Sequence, residues 1–332
     1  MKIAINGFGR IGKNFLRTLL QDKAALKKIQ IVAINAGPSG FDHVAHAFKY
    51  DTLLGAYPGV VTQDNNYLTI DGITITLFAE SNPEKLPWKA LSIDWVVECT
   101  GKFTSKALAQ KHQAAGAQKV LISAPVDDAD ATIIMGINEA DYKKEHTVIS
   151  LGSCTTNALV PLLKVVHDTF GIESAYMTTV HAYTNDQVLL DLDKSDLRRS
   201  RAAALNIIPT TTGAMKTVSV IIPTLQGKLQ GCSLRVPVAK VSLVDLAFVG
   251  QKPITIQGLH KALQIARSGS LRDIIDLTDQ PLVSTDFSNN NHSVVIDTLL
   301  TSATGSLGKL FGWYDNEWAY SCRLKDFLIK YL

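Results

Sequence analysis

The stretch Ser150-Leu151-Gly152-Ser153-Cys154-Thr155-Thr156-Asn157 holds the residues best suited to covalent chemistry. Cys154 lies between two hydroxyl side chains, Ser153 and Thr155. Gly152, just upstream, lets the backbone turn tightly. The run that follows, Ala158-Leu159-Val160-Pro161-Leu162-Leu163-Lys164-Val165-Val166, is apolar and mostly helical in pattern. Cys154 is therefore expected at or near a helix N-terminus. Unpaired backbone N–H groups and the positive end of the helix dipole favour thiolate over thiol there, and the thiolate is the reactive form. An arbitrary cysteine is more often a small apolar residue packed under a turn. The helix-start placement, the flanking hydroxyls and a downstream base candidate, His181, set this one apart. An imidazole beside a thiol accepts its proton and stabilises the thiolate as an ion pair. The spacing of Cys154 and His181 does not itself bring them together; only the fold can. His43, His46, His112, His146, His167, His260 and His292 have no motif near them and read as structural.

The elements that must position this chemistry begin at the N-terminus. Lys2-Ile3-Ala4-Ile5-Asn6 reads as a buried parallel strand. Gly7-Phe8-Gly9-Arg10-Ile11-Gly12 follows at once, then an amphipathic run from Phe15 to Leu20. Ile29-Gln30-Ile31-Val32-Ala33-Ile34 is a second apolar strand. Strand, G-x-G-x-x-G, helix and strand within about thirty residues make a dinucleotide-binding fingerprint. Its glycines allow a tight turn and close approach of a pyrophosphate to the helix N-terminus.

A helix is expected over Phe41 to Tyr50. Asn66 to Ile70 and Ile73 to Phe78 read as a hairpin around Asp71-Gly72. Further strands are expected at Asp94 to Cys99, Lys119 to Pro125 and Thr147 to Ser150, with a helix from Ser105 to Ala115. Alternation of this kind makes a Rossmann-type, doubly wound parallel sheet. Its ligand belongs at the C-terminal strand ends, where Gly7, Thr100, Ser123 and Cys154 fall. Beyond the helix from Cys154 to Phe170, expected to kink at Pro161, strand patterns dominate. They run over Ser174 to His181, Gly231 to Val238, Ser242 to Val249 and His292 to Leu299. Thr212 to Val220, Thr255 to Ser268 and Asn316 to Leu332 read as helices. The second half is thus expected to be α+β around a mainly antiparallel sheet.

With these motifs in order, the chain resembles the phosphorylating glyceraldehyde-3-phosphate dehydrogenase family. Ser153-Cys154-Thr155-Thr156-Asn157 and Thr178-Thr179-Val180-His181-Ala182-Tyr183-Thr184-Asn185-Asp186-Gln187 carry the resemblance. It extends from Ile5-Asn6-Gly7 to Trp313-Tyr314-Asp315-Asn316-Glu317-Trp318. It implies residues 1–153 with 316–332 as a dinucleotide-binding domain and 154–315 as a catalytic domain. It implies Cys154 as nucleophile and His181 as base, acting on glyceraldehyde 3-phosphate with inorganic phosphate as acyl acceptor. Ser153, Thr155, Thr184, Arg199, Thr212, Gly213 and Arg235 are the implied phosphate-site residues. Arginine suits phosphate because its fork bonds two oxygens. Gly7, Phe8, Gly9, Arg10, Ile11, Gly12, Asn35, Ala36, Thr100, Gly101, Ser123 and Asn316 are the implied cofactor residues. A homotetramer is implied, with no metal, nucleic acid or membrane required.

Two departures bear on the cofactor. NAD-using members usually carry Asp directly after Asn35, where this chain has Ala36. No carboxylate then remains there to bond a ribose 2′-OH or repel a 2′-phosphate. Ser39 and the Gly37–Gly40 turn can donate to a phosphate instead. NADP or dual NAD and NADP use is therefore expected. The segment Asp191-Leu192-Asp193-Lys194-Ser195 lacks the Leu-Pro-His common in NAD-using members. That loop reaches a neighbouring subunit's adenosine pocket in the family tetramer. There Lys194 and Ser195 favour a 2′-phosphate and Asp193 opposes one. A related alternative is erythrose-4-phosphate dehydrogenase, against which Ser123-Ala124-Pro125 and Pro209 to Gly213 count. Another is a non-catalytic RNA- or protein-binding role, for which only the basic run Arg198 to Arg201 speaks.

A hydrophobic content of 46% is typical of a globular protein with a full core. At 332 residues the chain suggests about two domains. A net charge of +3 is too small to imply nucleic acid. No run of about 18 apolar residues suggests a membrane span, and no secretory leader is expected ahead of the first strand. Cys99, Cys154, Cys232 and Cys322 show no paired or metal-binding spacing. Free thiols of this kind fit a reducing compartment, so a cytoplasmic location is expected.

Overall fold

The computed structural model describes residues 1–332, folded into two compact units. The first unit comprises Met1–Ile133, Ala140–Gly152 and Ser321–Leu332. Its strands are β1 (Lys2–Asn6), β2 (Gln30–Asn35), β3 (Val61–Asp64), β4 (Tyr67–Ile70), β5 (Ile73–Phe78), β6 (Trp95–Glu98), β7 (Lys119–Ile122), β8 (Ala131–Thr132) and β9 (Val148–Ser150). They form one sheet in the order β3-β4-β5-β2-β1-β6-β7-β9-β8. From β5 to β8 all neighbours are parallel. Ile3, Ala4, Ile5, Val96, Val97, Val120 and Leu121 are fully buried, which is why these strands read as unbroken apolar runs. β3 and β4 add an antiparallel edge. The β4–β5 turn has Asp71 and Gly72 at φ 48° and 85°, the doubly left-handed turn that matches strand twist.

Local chemistry sets the helix limits in this unit. The helix Lys106–Ala114 starts where Ser105 Oγ accepts from Leu108 N at 3.3 Å. The helix expected over Phe41 to Tyr50 is confined to Val44–Lys49. A turn closed by Val44 N donating to Phe41 O at 3.1 Å occupies the preceding residues. In the closing helix, Trp318–Lys330, Phe327 meets Trp95 edge-on at 5.6 Å between ring centres.

The second unit comprises Ile134–Glu139 and Ser153–Tyr320. Its strands are β10 (Ile172–Ala182), β11 (Ile208–Thr210), β12 (Leu229–Val236), β13 (Ser242–Gly250), β14 (Ile275–Thr278), β15 (Val294–Asp297), β16 (Ser302–Thr304) and β17 (Leu307–Tyr314). The sheet order is β11-β12-β10-β13-β17-β15-β14, with β16 paired to β17. Its centre, β10-β13-β17, is antiparallel. Two parallel pairs, β10–β12 and β14–β15, make it mixed. β13 alternates buried and half-buried residues, the period-two signature of a sheet packed more tightly on one face. The helix Cys154–Phe170 keeps Pro161 inside it, so the carbonyl of Asn157 loses its usual backbone donor. No helix is long and apolar enough to cross a membrane.

Candidate active site

In the second unit, Cys154 is the first residue of its helix and Ser153 the cap. Ser153 Oγ accepts from Thr156 N at 3.0 Å and lies 2.8 Å from Thr156 Oγ1. Asn157 Nδ2 donates back to Ser153 O at 2.9 Å. These bonds fix the turn and aim the free N–H groups of the first helical turn toward the thiol end. β10 delivers His181 to the same place, with its Nε2 3.5 Å from Cys154 Sγ. The expected partners are thus brought together by the fold.

The imidazole is buried, with 4% exposure. Its Nδ1 lies 2.6 Å from Ala182 O and 2.8 Å from Arg235 Nη1. The carbonyl can only accept and the guanidinium can only donate, so Nδ1 satisfies one of them. Arg235 Nη1 has other acceptors, Ala182 O and Thr184 Oγ1, each at 3.1 Å. The tautomer with Nδ1–H donating to Ala182 O therefore leaves both that N–H and Arg235 Nη1 with an acceptor. It turns the lone pair of Nε2 toward Cys154, the form a proton acceptor requires. Parallel β10–β12 pairing places His181 opposite Arg235, so sheet register sets this contact.

Burial first, then the Arg235 charge, pushes the His181 pKa down to about 4. Burial raises the Cys154 thiol, while Arg235 and the bonds from Thr155 act in the opposite direction. Desolvation therefore works against the expected thiolate–imidazolium pair, while Arg235 and Thr155 favour its thiolate half. Charging either group costs desolvation, and the imidazolium also faces a guanidinium. A stability consequence follows. Between pH 6.5 and about 4 the unfolded chain binds a proton at His181 that the folded chain refuses, so stability rises with pH across that window. The effect is on the order of 3 kcal/mol. Denaturant melts from pH 7 to pH 4 should show wild type losing about that much more stability than His181→Asn. Parallel losses in the two proteins would contradict it.

Tyr314, which the sequence reading passed over, completes the floor of the site. Its hydroxyl lies 3.0 Å from Thr155 Oγ1 and 2.8 Å from Thr179 Oγ1. Its ring stands edge-on to His181 at 5.9 Å. Burial, then the nearby Cys154, pushes the phenol far up, so it stays a neutral donor. No motif flags it; β17 pairing with β13, next to β10, carries it there.

Polar residues beyond His181 form a cationic cluster around a carboxylate. Thr184 Oγ1 donates to Asp186. Arg199 Nη1 pairs with Asp186 Oδ2 at 2.7 Å, and its Nε donates to Thr210 Oγ1 at 2.9 Å. Arg199, Arg235 and Thr184 are thereby joined, with Asp186 as an internal anion that the sequence reading did not single out. Thr212 uses its hydroxyl locally, accepting from Ala214 N at 3.3 Å. Gly213 precedes the helix Ala214–Ile221, with nothing within 4 Å of where a Cβ would sit. In the loop, Lys194 Nζ donates to Asp186 O at 2.9 Å. Asn316 is buried, its Oδ1 accepting from Ser242 Oγ at 3.2 Å.

The first unit carries the fingerprint at its strand ends. Gly7 has φ 92°, and a Cβ there would lie 2.7 Å from Thr100 Cγ2. A Cβ on Gly12 would lie 2.2 Å from Gly7 O, so helix and strand touch by backbone alone. Gly9 is the cap residue of the helix Arg10–Gln21, and Ile11 lies in its first turn. Arg10 pairs with Asp51, and Phe8 stacks on Phe48 at 6.1 Å. Ala36 N donates to Phe78 O at 2.8 Å, after which Gly37 and Gly40 turn with positive φ into open space. Gly101 turns likewise at φ 69°, and Ser123 N donates to Glu98 O at 2.9 Å. A cradle that only glycine fits, ahead of a helix N-terminus, suits a pyrophosphate.

Comparison with known proteins points the same way. Residues 1–106 match the NAD-binding domain model of glyceraldehyde 3-phosphate dehydrogenase, and residues 153–316 match its C-terminal domain model. A Bacillus subtilis protein named glyceraldehyde-3-phosphate dehydrogenase 2 is 48% identical over 330 residues, covering 99% of this chain and 96% of the relative. A Streptomyces avermitilis protein of the same name is 47% identical, covering 99% and 98%. The chromosomal glyceraldehyde-3-phosphate dehydrogenase of Cupriavidus necator is 47% identical, covering 98% and 97%. With both domain models matched in order and near-complete coverage by such relatives, the chain belongs to the glyceraldehyde 3-phosphate dehydrogenase family.

Proposed function

We propose that the protein oxidises glyceraldehyde 3-phosphate to 1,3-bisphosphoglycerate with a nicotinamide dinucleotide and inorganic phosphate, through a thioester on Cys154. The 3.5 Å contact between Cys154 Sγ and His181 Nε2 at a helix start carries this reading. His181 Nε2 accepts the thiol proton as sulfur bonds to the aldehyde carbon and passes it to the carbonyl oxygen, giving a thiohemiacetal and a proton-free imidazole. The nicotinamide ring, when bound, supplies the two-electron acceptor for the hydride on that carbon. His181 takes the hydroxyl proton in the same step. The resulting thioester retains the oxidation energy, and phosphate attacks it, breaking the C–S bond and freeing the thiolate. Arg199, Arg235 and Thr184 bind phosphate groups, which displace the Asp186 carboxylate from its donors. Ser153, Thr155, Thr212 and Gly213 add donors for the second anion. An anion beside Arg235 offsets its charge and eases protonation of His181.

The first unit is assigned the dinucleotide, held by the Gly7 to Gly12 turn and helix start, Asn35, Ala36, Thr100, Gly101 and Ser123. Use of NADP, alone or beside NAD, is supported by Ala36 and by the open Gly37–Gly40 turn. Glu80, whose backbone bonds Asn35, turns its carboxylate to Asn82 N at 2.9 Å rather than replacing the missing acid. The assembly is read as a cytoplasmic homotetramer. Steady-state oxidation of glyceraldehyde 3-phosphate with NAD and NADP, with and without phosphate, tests the reading. Strong phosphate dependence and NADP use at least comparable with NAD are expected.

Ala36→Asp adds an acceptor for the 2′-OH and a charge against a 2′-phosphate. A like-charge contact at about 4 Å costs on the order of 1 kcal/mol in water and more when desolvated. The NAD to NADP preference should swing by about tenfold to several hundredfold toward NAD. Strict NAD dependence in wild type, with both kcat/KM values unmoved by Ala36→Asp, would exclude the strand-end account.

A further inference from the structure

We propose that Glu98 and His112 are positioning residues for the dinucleotide: one buried carboxylate, oriented by one buried imidazole, holds the cofactor-binding turns in a single geometry. The proposal rests on the assignment of the dinucleotide to the first unit. Glu98 and His112 are 1% and 0% exposed, and their side chains bond to each other rather than to the fingerprint glycines. Glu98 Oε1 accepts from Thr100 N at 2.7 Å and from Thr100 Oγ1. Glu98 Oε2 accepts from Asn6 Nδ2 at 2.5 Å and lies 3.1 Å from His112 Nε2. Trp88 Nε1 donates to His112 Nδ1 at 3.0 Å. An indole nitrogen can only donate, so Nδ1 must accept and the proton must sit on Nε2, facing Glu98. The carboxylate therefore receives four donors and has nothing left to accept.

The chain of bonds continues outward with each direction fixed. Asn6 gives its N–H to Glu98, so its Oδ1 is the acceptor for Asn35 Nδ2 at 2.7 Å. Asn35 also donates to Glu80 O, and its Oδ1 accepts from Glu80 N, both at 2.9 Å. The residues reached are the strand ends of β1, β2 and β6. Thr100 is the residue that Gly7 packs against, Asn35 precedes Ala36, and Gly7 N itself donates to Asn35 O at 2.9 Å. A structural core has cheaper ways to fill this space. Burying a carboxylate and an imidazole costs desolvation unless every bond is made. Here two of the four donors come from Thr100, on a turn assigned to the cofactor, and the Asn6 amide carries the network on to Asn35.

Glu98→Gln keeps the shape but puts an NH2 group against donors. Isothermal titration of the full-length protein with NAD and with NADP should give Kd values raised by about tenfold to a hundredfold for both. The common direction separates this effect from Ala36→Asp, which moves the two oppositely. The kcat at saturating dinucleotide should stay within about threefold of wild type, because the binding lost is shared equally by ground and transition states. Val96→Ala serves as control: it opens a cavity in the same strand, beside Trp88 in the core, and lowers thermal stability while removing no hydrogen bond of the network. Its Kd values should match wild type. If Glu98→Gln does not fold, His112→Gln asks the same question one bond further out, with a smaller rise expected. Equal Kd values in Glu98→Gln, or in that substitute, and Val96→Ala overturn the proposal while leaving the dinucleotide assignment intact. Absence of dinucleotide binding by wild type overturns both.

Discussion

Replacing Cys154 with alanine is expected to remove glyceraldehyde 3-phosphate oxidation almost entirely, by about 10⁵-fold or more, the scale seen when a covalent nucleophile is deleted. The thiol supplies the only sulfur on the His181 lone pair, and without it no thiohemiacetal or thioester forms. The helix start is fixed by Ser153, Thr156 and Asn157, none of which bonds through the Cys154 side chain. The variant should therefore fold and bind dinucleotide as wild type does. Turnover and titration on the same preparation check this. Preserved turnover excludes Cys154 as nucleophile.

The second large effect is at His181. His181→Asn keeps an N–H donor for Ala182 O but has no lone pair at the Nε2 position, 3.5 Å from sulfur. Loss of a general base costs about 10²–10⁴-fold in kcat. Alkylation of Cys154 by iodoacetamide reports the same contact without substrate. In wild type His181 is proton-free above pH about 4, so it can accept the thiol proton across the neutral range. The alkylation profile of the variant should move to higher pH, toward that of a thiol with burial and no base. An unmoved profile would separate the two residues functionally.

How far this site was legible depends on what kind of signal fixes each part. The nucleophile was legible because its signals are local: a capping serine, a turn glycine and an apolar helical run. The fingerprint was legible for the same reason, since Gly7 and Gly12 answer to contacts with Thr100 and with each other's backbone. The Asp71-Gly72 hairpin is a purely local turn rule. His181 was reached only through the family resemblance, because sheet pairing, not spacing, brings it to Cys154. Tyr314 and Asp186 lay beyond both. Tyr314 arrives by antiparallel register, and Asp186 sits inside a motif whose histidine drew the attention. His112 looked like any unmotivated histidine in a helix. Its role emerges only when β6 places Glu98 opposite it and Trp88 dictates its tautomer. The desolvation of the Cys154–His181 pair was likewise hidden. The sequence shows both residues but neither their burial nor the guanidinium that parallel pairing sets beside the imidazole.

The central claim is a thioester on Cys154 that phosphate resolves. Incubating the protein with glyceraldehyde 3-phosphate and dinucleotide in phosphate-free buffer, then quenching in acid, allows the Cys154 peptide to be weighed by mass spectrometry. The account predicts a phosphoglyceroyl adduct on Cys154 that accumulates without phosphate and disappears, with release of acyl phosphate, when phosphate is added. An unmodified Cys154 peptide during active turnover, or an adduct indifferent to phosphate, would contradict it.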